Sequence, residues 1–422
     1  MQSNLSQATA NTVRIPWRCW YGNESLELAF PDRWSVESVP PQDAADVTDK
    51  QIRDALSQPI GTPTIPELAK GKKTVAIAVD DLTRPTQAHR IVPILLEKLH
   101  ESDIADDNII FVMALGAHRI MLREDLEKKL GKPIVDGYAI YNHHTHENLV
   151  SFGKTGLGTP VMVNRFFAEA ELKIGIGFLS PHLLAGFGGG AKIVLPGLCG
   201  IETLEANHGA GFAGRFKSGL AMIEGNVLRA DLEDTARRVG LDLVVNCVGN
   251  SSGATAGVFA GDLVKAHRAA VEMARRVYAT QVPQGADIGI FNSFPKDTDM
   301  VQCTNALNLW QDSEIPLVKE GGVVIIATAG SEGKGYHGLS GKGMRLDTHK
   351  VKRNQHLARI LQTRRRVLFC PTVNRYDVHD FFVWDMELFT RWGDLVAELS
   401  RSYPDTCRVV VFPCSTLQCP AT

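Results

Sequence analysis

One stretch gathers side chains that do chemistry: Ser180-Pro-His-Leu-Leu-Ala-Gly-Phe-Gly-Gly-Gly-Ala-Lys-Ile-Val-Leu-Pro-Gly, residues 180–197. His182 titrates near neutral pH and can move protons. Gly188, Gly189 and Gly190 let backbone N–H groups approach an anion without Cβ interference. Lys192 supplies either a fixed positive charge or an amine nucleophile. A short helical pattern, Ile201 to His208, then ends in a second histidine. A tight loop with packing glycines and a solvated lysine is the plain alternative. The run of histidine, glycines, lysine and histidine favours a chemical site. Cys199 reads as a ligand or, more simply, as a small buried filler.

Other candidates sit where strands are expected to end. The apolar run Thr74 to Val79 enters Asp80-Asp81-Leu82-Thr83-Arg84-Pro85. Carboxylates, a hydroxyl and a guanidinium at the carboxyl edge of a sheet stand where α/β folds bind ligands. Arg84 could grip a phosphate or carboxylate bidentately, or pair locally with Asp80 or Asp81. A helix from Ala88 to His100 points its N-terminus at the same place. Asn108 to Leu115 repeats the arrangement and ends in Gly116-Ala-His118-Arg119, with a helix over Met121 to Leu130. His143, His144 and His146 look like a metal cluster, but their spacing does not put three ligands on one helix face. They read as a loop beside the site, with a supporting role for His143 or His144. Lys296 precedes a helix over Met300 to Gln311 that carries Gln302, Asn305 and Asn308 on one face. Gly330 to Gly338, with His337, is a further glycine loop at a strand exit that could close over a substrate.

The pattern S-P-H-x-x-A-G-x-x-G-G-x-K-x-x-x-P-G, with Asn207-His208 downstream, resembles the nickel-dependent lactate racemase family. So do Asp81-Leu-Thr-Arg84-Pro and Gly116-Ala-His118-Arg119. The likeness covers most of the chain, and the 26 residues from His182 to His208 match the family's spacing. It implies that His118 and His182 are the catalytic acid/bases. Asp81, Leu82, Thr83, Arg84, Gly189, Gly190 and Lys192 would bind the cofactor, and His208 would hold its metal. The cofactor implied is the nickel-pincer nucleotide, pyridinium-3-thioamide-5-thiocarboxylic acid mononucleotide nickel, joined to Lys192 through a thioamide. Two sulfurs, a ring carbon and His208 would surround nickel in the near square-planar geometry it favours. Cofactor biosynthesis proteins are implied partners. The family's substrate site has Tyr-Gln followed three residues later by Lys. Here Val301-Gln302 is followed by Asn305, and a neutral amide replaces a charge-assisted bond worth roughly 1.5–3 kcal/mol. The expected substrate is therefore a small 2-hydroxy acid other than lactate, held by Arg84, Lys296, Gln302 and Asn305. Asn305 and Asn308 suit the hydroxyls of a longer, polyhydroxylated acid.

The chemistry of such an acid fits two bases. Its Cα–H is weakly acidic beside a carboxylate, so direct deprotonation is costly. Removing hydride while a base takes the hydroxyl proton gives a planar 2-keto acid, reducible from either face. Two readings from other classes stay open. One is a zinc-type metal hydrolase using His118, His182 and His208, with Asp81 activating water. The other is a nucleotide-binding module without turnover.

Positioning these groups requires an α/β fold: two domains, each a mostly parallel sheet flanked by helices, with the active site in the cleft between them. A length of 422 residues suits two or three domains. The expected division is 1–280 for cofactor and catalysis, 281–404 for the substrate side, and a tail strand at 405–422 whose membership is open. An antiparallel hairpin over 13–30 is expected to open the first domain. Further strands are expected at 171–178, 241–248, 254–260, 286–291, 321–328, 367–370 and 407–412. Helices are expected at 226–239, 262–279 and 384–399. Residues 209–225, with Arg215 and Lys217, read as a mobile or cofactor-facing loop. A net charge of −2 gives no basic field for nucleic acid. No apolar run is long enough to span a membrane. The N-terminus lacks a signal peptide's apolar core. Eight scattered cysteines with no C-x-x-C pair point to a cytoplasmic chain without disulfides. Homo-oligomerisation is left open.

Overall fold

Val75–Asp80 is buried along its whole length. Its β-branched and small residues suit a strand covered on both faces. The computed structural model describes residues 11–212, 214, 216–311, 315–347 and 355–421. In it this strand lies inside a six-stranded sheet. The order is Thr255–Gly261, Leu243–Gly249, Leu172–Leu179, Val75–Asp80, Ile109–Ala114, Ala139–Asn142. All pairings are parallel except that of Thr255–Gly261 with Leu243–Gly249. Side chains alternate between two cores. Val75, Ile77 and Val79 meet Ile91, Leu95, Val271 and Ala274 of helices Ala88–His100 and Lys265–Val277. Ala76 and Ala78 face Ile193, Leu204, Leu232 and Ala236, from the loop at 190–198 and helices Ile201–Phe212 and Val227–Val239.

A second six-stranded sheet is parallel throughout. Its order is Glu387–Phe389, Arg365–Phe369, Val318–Ala327, Ala286–Asn292, Arg408–Phe412, Ser35–Ser38. Val324, Ile326, Val410 and Phe412 pack on Met300, Leu307 and Trp310. Val323, Ile325, Val409 and Val411 pack on Ile15, Trp17, Leu28 and Leu395.

Two expectations need correction, and the place of the tail strand, left open by the sequence, is seen. The antiparallel hairpin, Thr12–Trp17 with Glu24–Ala29, forms as expected but covers the second sheet. The first sheet's faces are already covered by its own helices. Arg408–Phe412 is an inner strand of the second sheet, and only Cys419–Pro420 reaches back, pairing with Ala279–Thr280. The helix expected from Trp384 begins at Trp392, because Glu387–Phe389 is the sheet's edge strand. All eight cysteines are buried and unpaired. Among the described residues no helix is long and apolar enough to cross a membrane.

Candidate active site

Loops that follow strands of both sheets line one cavity of about 300 Å³. From the first sheet come Asp81 and Arg84, Gly116 and His118, then His182, Gly189, Lys192 and, on the next helix, His208. From the second come Lys296, Gln302, Asn305, Asn308 and His337. Of the expected site residues, Leu82, Thr83 and Gly190 do not line this cavity. Leu82 belongs to the core of the first sheet. Thr83 gives its N–H (2.8 Å) and hydroxyl (2.5 Å) to Asp81. The N–H of Gly190 goes to Asn246 Oδ1 at 2.7 Å.

The loop at 81–84 is held from below. Lys129, fully buried, ion-pairs with Asp80 at 2.7 Å and donates to the carbonyls of Asp81 (2.9 Å) and Arg84 (2.8 Å). Asp81 accepts from His118 Nδ1 at 2.6 Å. Burial alone would raise the Asp81 carboxyl, but the His118 ring, Arg84 and the Thr83 hydroxyl hold it well below the carboxylate range. An ionised Asp81 only accepts, so His118 carries its proton on Nδ1 and leaves Nε2 as an acceptor. Arg84 makes no ion pair with Asp80 or Asp81. It donates to Thr83 Oγ1 at 2.7 Å.

His182 has the opposite tautomer. Its Nδ1 accepts from the N–H groups of Leu184 (3.2 Å) and Ala185 (3.1 Å). The neutral ring therefore carries its proton on Nε2, which lies 3.5 Å from Lys192 Nζ. Burial, then Lys192 and Lys296, keep His182 neutral, well below the usual histidine range. His208 Nδ1 donates to the Leu204 carbonyl at 3.0 Å, which frees Nε2. A metal-ligating histidine is oriented in this way. Burial, then the Lys192 charge, lower His208 to about 4.

Arg84, Lys192 and Lys296 line this cavity, and none is paired with a carboxylate among the described residues. Burial, with Arg84, Arg229 and Lys296 around it, drives Lys192 far below the lysine range. Burial and Arg84 bring Lys296 to about 7. An unpaired buried cation costs several kcal/mol, so such a cavity is built for an anion. Some of the glycine loop's N–H groups are engaged within the protein. The N–H groups of Gly188 and Lys192 go to the carbonyls of Ser180 (2.7 Å) and Gly189 (3.2 Å). The glycines serve close packing: a Cβ on Gly189, whose φ is +65°, would lie 2.7 Å from Asn246 Oδ1.

Met300–Leu307 is a 3₁₀ helix, in which residues three apart eclipse. Asn305 Nδ2 donates to the Gln302 carbonyl at 2.8 Å, and Asn308 Nδ2 to Asn305 Oδ1 at 3.3 Å. Gln302 Nε2 lies 3.5 Å from His118 Nε2. His337, not assigned a role from sequence, packs edge-on against His118 with ring centroids 5.2 Å apart. Its Nδ1 accepts from the N–H groups of Leu339 (3.3 Å) and Ser340 (3.1 Å), as His182 does two residues on. That likeness in the following turn was the available signal.

His143 supports structure and not the cavity. It is buried, and its Nε2 donates to the Cys199 carbonyl at 2.9 Å. Burial lowers it to about 4. His144 and His146 are exposed, and Cys199 is a buried filler. Arg215 lies outside the described residues, and Lys217 is exposed. Among the described residues no three His, Cys, Asp or Glu side chains are gathered as a metal site. The zinc hydrolase reading needs such a cluster.

The profile of the lactate racemase N-terminal domain matches residues 21–220. The lactate racemase of Lactiplantibacillus plantarum is 32% identical over 298 residues, 68% of this chain and 69% of that one. That of Thermoanaerobacterium thermosaccharolyticum is 29% identical over 335 residues, 78% and 76% of the two chains. The lactate racemase apoprotein of the latter organism superposes with a TM-score of 0.77 at 25% identity, over 96% of this chain and 99% of that one. A Thermotoga maritima protein shares the fold, with a TM-score of 0.66 at 17% identity over 90% and 100%. An α/β chain that brings four histidines and three cationic side chains to one cavity, and that aligns with these enzymes along most of its length, belongs to the lactate racemase family and is an isomerase of the racemase class.

Proposed function

We propose that the protein inverts the 2-hydroxy carbon of a 2-hydroxy acid, with a nickel-pincer nucleotide bound through Lys192 and His208. The observation that carries this reading is the cavity's donor set. It offers the Nε2 of His208 for a metal, the depressed amine of Lys192 for a covalent bond, and two cations, Arg84 and Lys296, for anions. A metal with a single protein ligand needs the rest of its coordination from an organic partner, and that suits a pincer. When bound, the nucleotide supplies a hydride acceptor that takes and returns the hydrogen on C2.

The chain's own residues do the rest. Arg84 and Lys296 hold the substrate carboxylate and the nucleotide phosphate. His118 Nε2, oriented by Asp81, takes the hydroxyl proton of one enantiomer. His182 serves the other enantiomer. Its Nε2 becomes a base only in the other tautomer, when Nε2 gives up its proton and Nδ1 takes one and releases the N–H groups of Leu184 and Ala185. The turn at 182–185 is thus a moving part of the cycle. Gln302, Asn305 and Asn308 face the substrate's remaining atoms and favour hydroxyl groups over a bare methyl. The test is a panel of single-enantiomer 2-hydroxy acids, lactate and aldonates included, incubated with cofactor-loaded enzyme and read by chiral chromatography. Formation of the C2 epimer of at least one acid is expected. No inversion of any acid by nickel-loaded enzyme would overturn the reading.

A further inference from the structure

Arg229 is among the largest fully buried side chains, and the scheme above gives it no task. It stands in the first turn of helix Val227–Val239, whose N-cap, Asn226, accepts the Arg229 N–H at 3.0 Å. No carboxylate pairs with its guanidinium among the described residues. The nearest, Glu233, is bridged to Arg268 at 2.8 Å. Every bond the guanidinium makes is to a carbonyl of the loop that leads to Lys192. Nε donates to Ala185 O at 3.1 Å, Nη1 to Gly189 O at 3.4 Å, and Nη2 to Phe187 O and, at 3.4 Å, Gly188 O. His267 Nε2 adds a second donor to Gly188 O at 2.9 Å.

Two consequences follow for the amine two residues beyond the glycines. An ammonium needs acceptors, and the loop's carbonyls are already occupied. A buried, uncompensated positive charge, together with the positive end of a helix, stands behind the same loop. We propose that Arg229 is a positioning residue for Lys192: it turns the loop's carbonyls away from the amine and sets its own charge behind it, leaving Lys192 as a free nucleophilic amine. This rests on the reading of Lys192 as the point of cofactor attachment. The groups around Lys192 agree in sign. Arg84, Arg229 and Lys296 all disfavour an ammonium there, and the neighbouring His182 and His208 are themselves held neutral. The carboxylates on the cavity wall, Asp80 and Asp81, are engaged by Lys129 and His118.

The test is competitive acetylation of the full-length chain, purified without cofactor, across a pH series, with Lys192 read by peptide mass spectrometry. In the native chain the Lys192 midpoint should lie below that of exposed lysines. Arg229→Gln, which keeps donors but loses the charge, should raise it by about one pH unit, roughly a tenfold drop in labelling rate at fixed pH below the midpoint. Arg229→Lys should leave it near the native value, and the Lys296 midpoint should stay put in both. Glu233→Gln keeps the guanidinium and removes its nearest negative charge, so the midpoint should fall. A native midpoint equal to that of exposed lysines would overturn the proposal. So would equal shifts in the Gln and Lys variants of Arg229, or an unchanged or raised midpoint in Glu233→Gln. The attachment reading fails separately, on the intact mass of loaded protein.

Discussion

Lys296 is buried beside Arg84, so its charge is easily lost. A lysine is cationic below its pKa. In free enzyme with Lys296 near 7, kcat/KM for a 2-hydroxy acid should fall as pH rises above about 7. Lys296→Met should remove that limb of the profile and lower kcat/KM about 10- to 100-fold, the loss of one charge-assisted bond. An unaltered profile would place the carboxylate elsewhere. His118→Ala and His182→Ala should keep nickel, measured by metal analysis, and lose turnover. Asp81→Asn should keep nickel and lower kcat about 100- to 10,000-fold, because the ring loses the acceptor that fixes its tautomer. Near-native turnover in either histidine variant would end the two-base scheme. At this scale the sequence was informative where a residue stood in a long motif, as Lys192 and His208 do. It was silent on Arg229. An arginine on an amphipathic helix reads as solvated, and only the carbonyls of a loop some forty residues upstream explain its burial.

The glycine loop acts through shape. Ile193 lies against the strand Leu172–Leu179 because Gly175 has no side chain: a Cβ there would meet Ile193 Cγ2 at 2.5 Å. That contact draws Lys192 down to the sheet edge. Gly189→Ala combines a positive φ with a clash against Asn246 and should destabilise the fold by about 1–3 kcal/mol, seen as a lowered thermal midpoint. An unchanged midpoint would mean the loop can re-form around a side chain. The strands at 75–80, 109–114 and 172–179 were legible because continuous apolar runs have few other solutions. The use of the glycines was not, since sequence cannot say whether an N–H meets a ligand or a neighbouring carbonyl. Likewise the amide face at 302–308 was visible as a spacing, but its 3₁₀ winding was not.

At the level of the molecule, the two sheets meet through apolar packing, in which Phe294, Cys414 and Leu417 join the core of the first sheet, and through polar contacts beside the cavity. Arg119, next to His118, forms a fork with Glu332 at 2.6 Å and reaches Asp125 at 2.6 Å. Within the second half Tyr21 donates to the same Glu332 at 2.6 Å, and between the halves the Gly338 N–H reaches the Ala117 carbonyl at 2.7 Å. We propose two domains: residues 49–277 around the first sheet, and residues 12–38 with 286–412 around the second. The substrate would lie in the cleft between them. Glu332→Gln should loosen the closed arrangement, read as faster hydrogen exchange at 117–122 and 330–340. Unchanged exchange there would show that this fork does not hold the halves together. The place of the hairpin was not legible because alternation says that one face is buried and not against what. The most direct test of the central claim is the intact mass and nickel content of protein made with the cofactor biosynthesis proteins. Expected are a covalent mass increment and one nickel per chain, with the increment lost in Lys192→Ala and nickel lost in His208→Ala. Racemisation by a chain of unshifted mass that carries no nickel would contradict it.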